Sequence, residues 1–169
     1  MTSTLSIRFA TPDDIAALHP VIERAYRGDS ARQGWTHEAD LLDDQRTDEA
    51  ALAAIIADPQ QRLLIAEQAG TTIGCVQISD KGQGTSYLGL LCVDPLLQAG
   101  GLGKQLIEAA ERGAVDVFGA RQMEMTVIDR RVELIRYYER RGYCVTGEKR
   151  DFPVPVNPPL FFDVLVKPL

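Results

Sequence analysis

Histidine is almost missing from this chain: His19 and His37 are the only two in 169 residues, too few for a metal centre built on imidazole ligands. Cysteine is hardly more frequent. Cys75, Cys92 and Cys144 are odd in number and widely spaced, each in an apolar or strand-like segment. That pattern argues against a disulfide frame or a zinc site and predicts reduced core thiols. No apolar run approaches the roughly 20 residues of a membrane span, and the opening MTSTLSIRFA has no signal-peptide core. The expectation is a cytoplasmic protein with no membrane partner. Basic charge is also in deficit, with 18 Lys and Arg against 24 Asp and Glu and a net charge of −6. Nucleic acid is therefore not indicated as a partner, and an amine would suit the chain better. There is no internal repeat, linker or low-complexity tract.

What is present is ordinary for a globular protein: 45% hydrophobic and 25% charged residues. The length fits one domain, 1–169, able to bury a full core. Leu5 to Phe9 alternates as a strand does. Thr11-Pro12-Asp13-Asp14 then supplies an N-cap, a Pro at the first helical position and acids in the first turn, predicting a helix from about Pro12 to Tyr26 with Pro20 inside it. Further helices are expected around 37–43 and 47–57. Strands follow at 62–67 and 72–78, a turn at Lys81-Gly82-Gln83-Gly84, and a strand at 87–93. After a helix from about Gly103 to Phe118 come a strand at 123–128, a short helix at 132–141, and strands near 143–148 and 160–166. The Pro-rich stretch 151–159 between those last two strands reads as a rigid loop.

The chemistry concentrates in LGLLCVDPLLQAGGLGKQLIEAAERGA, residues 88–114. An apolar strand stops at Asp94-Pro95, a Gly-rich turn follows, and an amphipathic helix begins. A helix start leaves backbone N–H groups without partners and carries roughly half a positive charge, so it suits a phosphate. Gly100, Gly101 and Gly103 allow the main chain to approach such a ligand closely. Two familiar phosphate loops do not fit. A Walker A loop would need Gly at Gln98 and Ser or Thr at Gln105, and a dinucleotide fingerprint would need a third Gly at Leu106. What stands is Gln-x-x-Gly-x-Gly at Gln98, Gly101 and Gly103, which resembles the acetyl-CoA loop of the GNAT superfamily of N-acetyltransferases. A second stretch is similar to the same family. Tyr137-Tyr138 followed after three residues by Gly142-Tyr143 looks like its terminal helix motif, and the order of expected elements matches that fold over essentially the whole chain. The sequence departs from the common pattern at Arg131, where Asn is frequent, and at Leu134, where Ala is frequent. Both positions bear on contacts along the pantetheine arm.

The resemblance implies an α/β (α+β) fold with a mixed, mostly antiparallel sheet of about seven strands, in which the parallel pair 87–93 and 123–128 splays apart. It also implies acetyl-CoA as cosubstrate, without a metal. The pyrophosphate would lie on Gln98, Ala99, Gly100, Gly101, Leu102, Gly103 and Lys104, and the pantetheine against Leu91, Cys92 and Val93. A backbone N–H near Leu91 or Cys92 would polarise the thioester carbonyl, and Tyr138 would serve the leaving thiolate. A Tyr beside Leu134 and Ile135 could equally be a core aromatic, and its register against Gly142 favours the catalytic role. Cys92 reads as a small apolar residue, because no Cys/His pairing can be proposed for it. Two alternatives stand for the general base, Glu124 and water. The acceptor is expected to be a small-molecule or peptide amine near Tyr26, Trp35, Glu38, Asp43 and Asp44 and the Pro-rich loop. A catalytically silent acetyl-CoA sensor or interaction module is the other functional reading, and a homodimer is the alternative to a monomer.

Overall fold

The computed structural model describes residues 5–25, 47–94, 101–151 and 159–169. Seven strands form one sheet: β1 (Leu5–Phe9), β2 (Gln61–Gln68), β3 (Thr71–Gly82), β4 (Thr85–Val93), β5 (Gln122–Ile128), β6 (Cys144–Asp151) and β7 (Phe161–Pro168). Their order across the sheet is β1-β2-β3-β4-β5-β7-β6. Every neighbouring pair is antiparallel except β4 and β5. Four helices are seen among the described residues: α1 (Ile15–Glu23), α2 (Glu49–Ala57), α3 (Leu102–Phe118) and α4 (Val132–Arg140). A 3-10 turn at Pro12–Asp14 takes the first part of the helix expected from Pro12, and Pro20 is accommodated within α1. Asp48 caps α2 by accepting the Ala51 N–H at 2.7 Å, a bond of the kind worth about 1 kcal/mol. The helix expected around 37–43 and the Pro-rich segment 152–158 lie outside the described residues.

Alternation along the strands divides the core into two. Leu64, Val76, Ile78, Met123, Met125 and Leu165 pack with α3 and α4 on one face, while Leu63, Ile65, Cys75 and Cys92 pack with Ile15, Leu18 and Ile22 of α1 and Leu52 of α2 on the other. Helix α3 is the large buried element of the first face; Leu106 and Ile107 are fully covered there, each contributing about 1.5–3 kcal/mol by burial. The third cysteine corrects the expectation of three core thiols. Cys144 is exposed, because it lies on β6, the edge strand, nearly all of whose side chains face solvent.

The parallel pair meets only briefly. Thr85, Ser86 and Tyr87 pair with Gln122, Met123 and Glu124, and beyond those three pairs the strands part, as the family resemblance implied. Strand β4 also carries an irregularity that its sequence does not advertise. Gln77 pairs with Gly89 and Cys75 with Cys92, so Leu90 and Leu91 together oppose Val76 in a β-bulge. Leu90 adopts φ +50°, the left-handed region that a branched aliphatic residue rarely enters. The bulge resets the alternation: Leu88 faces the α3 side, yet Leu90 packs on the α1 side with Cys92, while Leu91 and Val93 return to the α3 side.

Candidate active site

Parting of β4 from β5 opens a cleft of about 1070 Å³ that is lined from both faces of the sheet. Its walls are residues 87–93 of β4 and 125–128 of β5; the start of α3, one side of α4, Gln77 of β3 and Ile55 of α2 also line it. Leu91, Cys92, Val93, Gly101, Gly103 and Lys104 all contribute to the lining. Leu102 does not, since its side chain is buried in the core on the α3 side. Gln98, Ala99 and Gly100 lie outside the described residues, as do Tyr26, Trp35, Glu38, Asp43 and Asp44.

The start of α3 is built for close approach. Gly101 is the N-cap with φ +73°, and the first intrahelical bond runs from the Gln105 N–H to the Gly101 carbonyl at 3.2 Å. The N–H groups of the first turn ahead of it have no carbonyl within the helix to bond. At Gly103 the reason for glycine is a neighbour. A Cβ there would stand 2.8 Å from the Tyr137 hydroxyl oxygen, so a larger residue would push the tip of the Tyr137 side chain aside. Among the described residues, the charged ones lining the cleft are Lys104, Arg131, Arg140 and Arg141 against one carboxylate, Glu133. In a chain of net charge −6 this local excess of positive charge favours a polyanionic ligand.

Tyr138 lies on α4 and reaches the cleft from within the core, 7% exposed. Its ring meets Tyr137 edge-on at 5.5 Å and Tyr143 at 6.2 Å. Burial is the main reason its phenol is pushed above the ordinary range; Tyr137, Cys92 and Tyr87 add to the shift and Arg131 opposes it. The hydroxyl is thus a proton-bearing donor throughout ordinary pH. Tyr143 has a different role. It is buried, donates to Glu111 Oε2 at 2.9 Å, and shares that carboxylate with Lys167 at 3.0 Å. The Gly142-Tyr143 pair therefore anchors the end of α4 to α3 and β7.

Glu124 is held by Arg150, whose two terminal nitrogens donate to its two oxygens at 3.2 Å each, and it does not line the cleft. Thr126 does, and its hydroxyl meets that of Tyr87 at 2.5 Å across the opening between the strands. Sequence reasoning missed this bridge, the packing of Tyr137 on Gly103 and the bulge at Leu90. The tyrosine pair could have prompted the second of these, whereas the other two arise from register between strands. Among the described residues, no group of His, Cys, Asp and Glu could hold a metal ion, and no helix is long and apolar enough to cross a membrane.

Solved structures share this fold. The PaiA N-acetyltransferase of Thermoplasma acidophilum, in complex with coenzyme A, superposes with a TM-score of 0.78 at 18% identity over 98% of this chain and 99% of its own. The ribosomal-protein-S18-alanine N-acetyltransferase of Escherichia coli gives 0.74 at 17% identity over 98% and 94%. YncA from Salmonella typhimurium, solved with its cofactor acetyl-CoA, gives 0.72 at 21% identity over 98% and 94%. These likenesses show the fold, and no curated protein matches the sequence. The family model described as an acetyltransferase (GNAT) domain matches residues 27–152, a span that takes in both the Gly-rich turn and the tyrosine pair of α4, and the chain therefore belongs to the GNAT acetyltransferases.

Proposed function

We propose that the cleft takes acetyl-CoA between the parted strands and that the protein moves its acetyl group to the amine of a small molecule or peptide by direct attack. The observation that carries this reading is the meeting, in one cleft, of a proton-bearing buried Tyr138, the bulged strand β4 and the glycine-capped start of α3. The residues present fit such a ligand: open N–H groups and Lys104 for the pyrophosphate, arginines beside them, and Leu91, Cys92 and Val93 along the pantetheine. Acetyl-CoA supplies an activated acyl carbon, and the chain supplies the rest. A β4 N–H near Leu91 or Cys92, re-aimed by the bulge, donates to the thioester oxygen as negative charge builds on it. The N–C bond forms and the C–S bond breaks. Tyr138 donates its hydroxyl proton or a hydrogen bond to the departing sulfur, and water takes the proton that the amine loses, because Arg150 already occupies Glu124.

The proposed acceptor is an amine because nitrogen, once its proton is removed, attacks a thioester without further activation. The experiment is release of CoA from acetyl-CoA in the presence of spermidine, single amino acids, an aminoglycoside and alanine-ended peptides. Turnover with at least one of them is expected. Binding of acetyl-CoA without turnover of any would instead favour a sensor or interaction module, and failure to bind it would overturn the reading.

A further inference from the structure

On the face of the sheet that α1 covers, Gly89 sits in a hollow between two polar groups. Gln77 of β3 pairs directly with Gly89, and Tyr87, two residues earlier on β4, points to the same side. A Cβ at Gly89 would lie 3.3 Å from the Tyr87 ring and 4.0 Å from Gln77 Oε1. All three residues line the cleft, as does Thr126, whose hydroxyl closes the far side through its bond to Tyr87.

The amide of Gln77 is fixed one way round by a row of hydrogen bonds that begins at a carboxylate. Asp58, whose carboxyl is held below its ordinary range chiefly by Gln61, accepts the Gln61 Nε2 proton at 2.8 Å. An ionised carboxylate can only accept, so Gln61 must turn its oxygen the other way, and that oxygen accepts from Gln77 Nε2. The row therefore ends on the Gln77 carbonyl oxygen, the Gln77 atom nearest the Gly89 hollow. On the other side, the mutual bond between Tyr87 and Thr126 consumes one of their two hydroxyl protons, leaving one O–H donor and lone pairs on both oxygens. The hollow thus offers hydrogen-bond acceptors from two sides.

We propose that this hollow holds the acceptor nitrogen, with Gln77 Oε1 taking one N–H and the Tyr87–Thr126 pair the other; the proposal rests on the acetyltransferase reading of the cleft. A primary amine held by both N–H bonds keeps its lone pair for attack. A secondary amine leaves one acceptor unfilled and drives a substituent toward Gly89, so the site selects unhindered primary amines. Gln77, Tyr87 and Thr126 are then binding residues for the acceptor, and Gln61 and Asp58 are positioning residues that act through Gln77.

Two probes that need no knowledge of the natural acceptor test this. One is CoA alkylated with iodoacetamide, which carries a primary amide on the sulfur arm; the other is its N,N-dimethyl amide, which has no N–H. Calorimetric titration should show the primary amide binding about tenfold or more tighter than the dimethyl amide, the effect of one or two hydrogen bonds. Gln77→Met and Tyr87→Phe should each reduce that preference at least threefold and Gly89→Ala should abolish it, while affinity for CoA itself is unchanged, which also shows each variant to be folded. Gln61→Met should weaken the preference without touching the ligand. Absence of the preference in the wild type, or its survival in both Gln77→Met and Tyr87→Phe, overturns the proposal. Failure of CoA itself to bind the wild type overturns the acetyltransferase reading instead.

Discussion

In the proposed reaction Tyr138 brings the chemistry at the leaving sulfur down to one hydroxyl. A phenol buried in an apolar cluster resists ionisation, which disqualifies it as a base and suits it to give a proton or a hydrogen bond to a leaving sulfur. Tyr138→Phe keeps the ring and its edge-on contacts with Tyr137 and Tyr143 but removes the donor. The expected outcome is a fall in kcat of about 10²-fold, with melting temperature and acetyl-CoA affinity unchanged, read by steady-state kinetics, thermal denaturation and titration. Full kcat in the variant would make Tyr138 a packing residue. The candidacy of Tyr138 was legible in the sequence because the spacing from Tyr138 to Gly142 is local. That of Gln77 was not, since its partners Gln61 and Gly89 come from two other strands, 16 residues before it in one case.

Helix α4 reaches the start of helix α3 through the Tyr137 hydroxyl, beside Gly103. Gly103→Val would force the Tyr137 ring from its place, disturbing at once the N–H groups of the first turn and the ring that rests on Tyr138. Affinity for acetyl-CoA should fall about tenfold or more by calorimetry, in a protein whose sheet is intact by circular dichroism; unchanged affinity would remove the phosphate role from this turn. The companion expectation that Asp43 or Asp44 holds a cationic acceptor concerns side chains outside the described residues. At this scale periodicity served well: α3 begins at Leu102 and ends at Phe118, within one residue of the span read from its apolar positions. The bulge in β4 escaped because Leu-Leu-Cys-Val is apolar at every position, so a slip between faces leaves no change of polarity to read.

At the scale of the molecule, the order of elements along the chain, the seven-stranded sheet and the splay were all anticipated, the splay through family resemblance alone. Hydrophobic pattern specifies which strands are buried. It does not say where two of them stop pairing, which depends on main-chain geometry at Tyr87 and Glu124. That short junction means that the sheet is in effect two sheets, β1–β4 and β5–β7, joined by three residue pairs and a hydroxyl bridge. Peptide groups on the facing edges of β4 and β5 beyond the junction have no strand partner among the described residues. A ligand lying in the seam would therefore act as a missing eighth strand, and saturation with it should stabilise the fold by mass action, about 2.7 kcal/mol at a hundred times its Kd. Amide hydrogen exchange is the measurement. Exchange should slow along Leu88–Val93 and residues 125–128 when CoA is added, with little change at the β2–β3 hairpin; uniform protection, or none at the seam, would mean that the two halves do not depend on their ligand for cohesion. In that light the protein resembles an unfinished sheet whose completion is supplied from outside, so that without CoA or its thioester in the seam it would take a looser, more protease-sensitive form.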